Sequence, residues 1–374
     1  MKREFKDLIR LEQYEYLNNE ITGDYDETHA VKCLNGTFVG TEENGVASWL
    51  GIPYAKPPVG ERRFKAPEYV DADDRVFEAK YYGKCAIESD GYPDNVQKLH
   101  SEDCLYLNIW VNEDDKTAKK PVMVWIHGGA YVVGSGSQAS YSGANLVQKQ
   151  SDIIMLTINY RLNMYGFMDF SSVPGGENFR TAPCNGLLDQ AMALRWVHEN
   201  IAAFGGDPDR ITVLGFESGA TSICLLAASE RAKGLFQKAV ILNGGPVSAY
   251  DTPEASRKLA KDLLKQTRTS SMDILLQLNT ETLKDAAQKL WMDMCAPTCD
   301  GTLIPADVYA ACQEGTASGI EFVIGITSGK MQVFRSESKT GNALQLTMVC
   351  AQGLKPNAHS WDVARIVTAD DLFS

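Results

Sequence analysis

Two glycine-rich turns carry residue types suited to acyl transfer. The first, His127-Gly128-Gly129-Ala130, follows an apolar run and precedes Gly134-Ser135-Gly136. Acyl transfer needs backbone N–H groups aimed at the oxygen that gains charge in a tetrahedral intermediate, and small residues let a substrate approach them. A tight loop that needs glycine only for its backbone angles would read the same way. The second turn, Gly215-Phe216-Glu217-Ser218-Gly219-Ala220, joins the apolar run Ile211–Leu214 to a helical pattern. A strained strand-to-helix turn is a place to present a nucleophile, and this one sets a carboxylate, Glu217, beside a hydroxyl, Ser218. Serine chemistry also needs an imidazole base and an acid to orient it. The histidines available are His29, His100, His127, His198 and His359.

The rest of the chain must position these turns. Its 374 residues allow one large α/β domain or two smaller ones at about 150 residues each. With 44% hydrophobic and 22% charged residues the chain is globular in composition, which excludes collagen, mucin and wholesale disorder. Lys plus Arg number 36 against 48 Asp plus Glu, a net charge of −12, so no nucleic-acid partner is expected. No apolar stretch approaches the roughly 18 residues of a membrane span. Residues 1–20 lack the apolar middle of a signal peptide. A cytoplasmic location is therefore expected, with the nine cysteines as reduced thiols. Cys295 and Cys299 have no second Cys or His pair nearby, so neither a metal nor a cofactor is expected.

Between residues 37 and 248 short β-rich runs alternate with helical patterns, which predicts a largely parallel, helix-covered sheet. Buried strands are predicted at Val122–His127, Ile153–Asn159, Ile211–Leu214 and Ala239–Leu242, and helices at Leu187–Phe204 and Ala220–Ala227. Residues 252–292 are rich in Lys, Asp, Leu and Gln at helical spacing and predict two or three surface helices. A further strand is predicted at Glu321–Ile326, and the last forty residues are weakly patterned.

Several blocks together resemble the type-B carboxylesterases, the cholinesterase-like branch of the α/β hydrolases. They are Gly51-Ile-Pro-Tyr-Ala-Lys-Pro-Pro58 with Arg63-Phe64, Ser101-Glu-Asp-Cys-Leu-Tyr-Leu-Asn108, His127-Gly-Gly-Ala130, Asn159-Tyr-Arg-Leu162, Gly186-Leu-Leu-Asp-Gln190 and Phe204-Gly-Gly-Asp-Pro208. The resemblance runs from about residue 35 to 335. It implies an α/β-hydrolase fold, a mostly parallel central sheet flanked by helices with a small helical insertion. The expected layout is a single domain over 1–374, with an N-terminal extension 1–30, main sheet and helices 30–248, a helical insertion 249–298 and a truncated C-terminal part 299–374. By resemblance the oxyanion hole is formed by the N–H groups of Gly129, Ala130 and Ser218. His127, Arg161 and Asp189 are framework residues, and Cys85 and Cys104, a disulfide pair in secreted relatives, are neighbouring thiols.

The departures from the family decide its chemistry here. The family places serine in a G-E-S-A-G turn; without gaps, both glycines match and Glu217 takes the nucleophile position, leaving Ser218 behind the turn. Aligned on the Glu-Ser pair, Ser218 is the nucleophile, at the cost of one insertion and one deletion and with Phe216 where a small residue belongs. The family's acid falls on Lys330, unless the loop there has slipped, and an ammonium cannot accept the imidazole N–H. Phe334 follows as in the family. The Glu217 and Lys330 substitutions are complementary in charge, so an ion pair is expected, with the Glu217 carboxylate near the N–H groups of Gly129, Ala130 and Ser218. His359-Ser-Trp-Asp362-Val363 resembles the segment after the family's catalytic histidine, but His359 lies much closer to the acid position than that histidine does. It is either the base or an unrelated tail residue. Two functions follow. One is a degenerate, non-catalytic member, a pseudoenzyme with a protein partner. The other is an active carboxylic ester hydrolase using Ser218 and His359 on a small ester-like or acyl ligand.

Overall fold

Every side chain of Ile154–Ile158 is buried, as in a strand covered on both faces, and the larger of two sheets is built around it. The computed structural model describes residues 17–88, 99–113, 119–245, 252–290, 295–327 and 361–367. In chain order the strands are β1 (Glu20–Ile21), β2 (Ala30–Cys33), β3 (Asn35–Val39), β4 (Thr41–Glu43), β5 (Val46–Pro53), β6 (Asp73–Glu78), β7 (Tyr106–Asn112), β8 (Lys120–Ile126), β9 (Ile154–Ile158), β10 (Gly206–Phe216), β11 (Lys238–Leu242), β12 (Glu321–Thr327) and β13 (Trp361–Val367). The nine-stranded sheet runs β13-β12-β11-β10-β8-β9-β7-β5-β4, and a four-stranded sheet runs β1-β6-β3-β2. From β12 through β9 the large sheet is parallel; β7, β5, β4 and β13 pair antiparallel at its margins.

The helices are α1 (Ala144–Lys149), α2 (Asn163–Gly166), α3 (Asn185–Asn200), α4 (Ser218–Ala227), α5 (Pro253–Thr267), α6 (Met272–Leu276), α7 (Thr280–Lys289) and α8 (Val308–Gln313). This is the architecture expected of an α/β hydrolase. The four predicted central strands appear within a few residues of their expected ends, since each is an apolar run buried by its neighbours. The sheet does not stop at residue 248, because β12 adds parallel to β11 and β13 antiparallel to β12. No helix among the described residues is long and apolar enough to cross a membrane. Burial pushes the thiols of Cys33 and Cys224 up to about 12.

The helices after β11 form as the sequence predicts. Thr252 caps α5 by accepting the Ala255 N–H, with Pro253 in the first turn, and Asn279 caps α7 by accepting from Thr282. Ala260, Leu263 and Leu264 on α5 face the core. One guanidinium ties this region down: Arg63 donates to Leu276 O at 2.9 Å and Leu278 O at 2.7 Å, and to both oxygens of Glu102 at 2.6 and 2.7 Å. The Thr280 hydroxyl also donates to Glu102, at 2.6 Å.

A second buried pair braces the segment that follows β9 against the start of α3. Arg161 donates through Nε and Nη2 to Asp189 at 2.8 and 2.7 Å, and its Nη1 donates to Lys65 O at 2.7 Å. Asp189 is 0% exposed and also accepts the Arg161 backbone N–H at 3.0 Å. The pair holds framework, as the resemblance implied. Asp189→Ala strands a buried guanidinium and is expected to lower the unfolding free energy by about 3–5 kcal/mol. An Arg161→Met, Asp189→Leu double variant should lose less than the two single changes combined. Urea titrations showing plain additivity would remove the pair from the framework.

Candidate functional site

Strands β8 and β10 are parallel neighbours, with Gly215 opposite Ile126. Their C-terminal ends therefore deliver the His127-Gly128 turn and the Phe216-Glu217 turn to the same place, the usual position for a site in a parallel sheet. How near the turns come is set by missing side chains. A Cβ on Gly128 would stand 2.6 Å from Phe216 O and 2.9 Å from Glu217 Oε2, and one on Gly219 would stand 2.2 Å from Ile126 O.

Glu217 occupies the turn itself. Its backbone has φ 55° and ψ −116°, a left-handed conformation that costs a non-glycine residue about 1–3 kcal/mol. The surroundings hold it there: its N–H donates to Leu242 O at 2.9 Å, and its carbonyl accepts from Thr221 N–H at 3.0 Å as α4 begins. Ser218 is the first residue of α4 and only 2% exposed, whereas Glu217 is partly exposed.

The first turn meets the Glu217 carboxylate with its backbone. Gly129 N–H donates to Oε2 at 2.7 Å and Ala130 N–H at 3.0 Å, and the Ser218 hydroxyl donates to the same oxygen at 3.3 Å. Among the described residues no hydrogen bond reaches Oε1. The loop is held open by positive φ at Gly129, Ala130 and Tyr131. Its far side is pinned by Glu88, which accepts from Gly134 N–H at 3.2 Å, and by Asn159, which accepts from Gly136 N–H at 2.8 Å.

His127 is buried, its ring stacked on Tyr160 at 4.3 Å with Nδ1 2.9 Å from Gly128 O, which makes it framework. The Tyr160 hydroxyl donates to His127 O at 2.7 Å. Burial raises both the Tyr160 and Tyr131 phenols, so neither supplies an anion near neutral pH.

Of the residues singled out in the sequence, Gly129, Ala130, Glu217 and Ser218 come together here. Lys330 and His359, and with them the expected Glu217–Lys330 pair, lie outside the described residues. His29 pairs with Glu113 at 2.9 Å, His100 Nδ1 lies 2.8 Å from Ala86 O, and His198 sits on α3. Glu88 was not foreseen; a lone acid in a loop gives no sequence signal of a partner 46 positions away. Among the described residues, no cluster of three or more His, Cys, Asp or Glu side chains could hold a metal ion.

Residues 27–352 match the carboxylesterase family. The para-nitrobenzyl esterase of Bacillus subtilis (strain 168) is 42% identical over 319 residues, which make up 82% of this chain and 64% of that protein. Neuroligin-2 of Mus musculus is 31% identical over 350 residues, 82% of this chain and 40% of that protein. Among solved structures, a carboxylesterase of Geobacillus stearothermophilus superposes with a TM-score of 0.74 at 41% identity, covering 80% of this chain and 61% of that one. The chain thus spans less than two thirds of the length of these relatives.

The left-handed turn has a direct consequence for stability. Relief of about 1–3 kcal/mol of backbone strain exceeds the roughly 0.5–1 kcal/mol of extra chain entropy that glycine loses on folding. Glu217→Gly should therefore be more stable than Glu217→Ala in chemical denaturation. Equal stability, or a more stable alanine variant, would place residue 217 outside the strained conformation.

Proposed function

The chain belongs to the carboxylesterase family, and we propose that it has little or no serine-esterase activity and acts as a binding or interaction member of that family. One observation carries this reading: the carboxylate of Glu217 rests on the N–H groups of Gly129 and Ala130. Ester hydrolysis by serine needs a hydroxyl on the turn and a vacant pair of donors for the oxygen that becomes charged. Here the turn residue has no hydroxyl, and its own anion holds the donors. Hydrogen bonds to a charged acceptor are worth about 1.5–3 kcal/mol each, so a neutral ester carbonyl competes poorly for them.

Ser218 supplies no ready substitute. It lies inside the first turn of α4, 2% exposed, with its hydroxyl directed at Glu217. In this reading its N–H belongs with those of Gly129 and Ala130 as a third oxyanion donor. Lys330 takes the family's acid position, where an ammonium would repel an imidazolium rather than orient it. His359 is then left without a triad to serve.

The alternative, hydrolysis of a small ester by Ser218 and His359, draws on the 3.3 Å contact that would let Glu217 hold the serine proton. Substrate access to a side chain buried in a helix is what it lacks. Short nitrophenyl esters separate the two readings: wild type should turn them over no faster than Ser218→Ala. A fluorophosphonate adduct mapped to Ser218 would restore the active hydrolase.

A further inference from the structure

We propose that the cavity between Arg63, the segment leading into β7 and the start of α7 is a binding site for a neutral polyhydroxylated molecule the size of one sugar ring. None of the residues lining it belongs to the two turns that meet at Glu217, so the proposal goes beyond the reading of that turn and does not depend on it. The cavity measures about 320 Å³. At about 30 Å³ per water that is room for about ten waters, enough for one ring with its hydroxyl groups.

The charges of the lining cancel. Its cations are Arg63 and Lys284, and its anions are Glu102 and Glu281. Arg63 and Glu102 are buried at the inner end, where two hydrogen bonds at 2.6 and 2.7 Å already pair them. Glu281 and Lys284 stand three residues apart on α7, which sets opposite charges on neighbouring positions of one helix face. A ligand with net charge of either sign meets as many like charges here as unlike ones, and it must still leave water.

The remaining polar groups are neutral, and the framework fixes the direction of each. Ser101 Oγ accepts the Asp103 N–H at 3.1 Å, which leaves its own proton to give. The Thr280 hydroxyl donates to Glu102 at 2.6 Å, which leaves its oxygen to accept. His100 Nδ1 lies 2.8 Å from Ala86 O, and a carbonyl only accepts, so Nδ1 carries the ring proton and Nε2 is an acceptor. Nε2 is buried and has no partner among the described residues, a cost that a hydroxyl donating to it would remove. A donor at Ser101 and acceptors at Thr280 and His100 suit a ligand whose polar groups can each both give and take a proton. A hydroxyl does both, whereas an ether or a carboxylate does not. Val59 and Ile87 add apolar wall for the C–H groups between those hydroxyls.

The experiment titrates the full chain with neutral D-glucose and myo-inositol, anionic D-glucuronate and cationic 6-amino-6-deoxy-D-glucose, reading affinity from saturation-transfer NMR. At least one of the neutral probes is expected to saturate a single site, and both charged probes to bind at least about fivefold more weakly than it does. Ser101→Ala should weaken the neutral probe by about threefold to tenfold, the worth of one hydrogen bond. Val59→Trp fills the mouth of the cavity and should abolish saturation; Val59 is 40% exposed, so this variant is expected to fold even if Ser101→Ala does not. Undiminished binding in Val59→Trp would put the ligand elsewhere and overturn the site. Tighter binding of either charged probe would overturn the neutral class, and absence of saturable binding by both neutral probes would overturn the proposal as a whole.

Discussion

The approach of two turns at the ends of β8 and β10 is the constraint on which the site depends. The parallel register places Ile126 beside Gly215, and everything after those residues must pass within a Cβ of its neighbour. Gly128 and Gly219 make that passage sterically open. Once the turns are that close, the N–H groups of Gly129 and Ala130 can point only into the space over residue 217. Their satisfaction is then a requirement, because backbone donors removed from water and left unpaired are costly. Glu217 meets it internally.

The supporting contacts show how much structure is spent on keeping the loop rigid. Glu88 and Asn159 accept N–H groups on its outer side, and the stacked pair of His127 and Tyr160 closes it from below. Positive φ at three consecutive residues is tolerated because these contacts leave the loop few other conformations. Farther out, Arg63 and Arg161 each bind backbone carbonyls as well as a carboxylate, joining segments distant in sequence. The two buried ion pairs act on the frame, and the partly exposed carboxylate acts at the site.

Much of the frame was legible in the residues, for physical reasons that differ by element. The central strands β8 to β11 are apolar runs covered on both faces, and burial leaves such runs few other conformations. The small sheet of β1, β6, β3 and β2 was not anticipated. Its strands are short, β1, β2 and β6 are partly exposed, and β1 and β6 carry charged residues, so no clean alternation marks them. At the site, the ungapped register of Gly215 and Gly219 was enough to place Glu217 on the turn, since each glycine answers a close contact. Glu88 was invisible because its partner is a backbone N–H, which every residue but proline possesses. The C-terminal strand β13 escaped for a related reason: Trp361–Val367 mixes charged and apolar residues, and among the described residues it is the outermost strand of the sheet.

A carboxylate on this turn is compatible with the rest of the fold because the environment was already suited to negative charge. Two backbone donors converge on Oε2, and α4 starts at the next residue with the positive end of its dipole toward Glu217. Such an arrangement stabilises a transient oxyanion during acyl transfer, and it stabilises a permanent anion by the same electrostatics. Exchanging a hydroxyl for a carboxylate at position 217 therefore asks nothing of the sheet, the loop or the helix. On the proposed reading it also removes the purpose of an acid–base pair whose task is to deprotonate a hydroxyl at that position. A lysine at the acid position is a liability beside an imidazolium and none beside a carboxylate. On the proposed reading the changes at 217 and 330 are consistent with one another on charge alone, and the donors of Gly129 and Ala130 are the fixed element around which any remaining chemistry must be arranged.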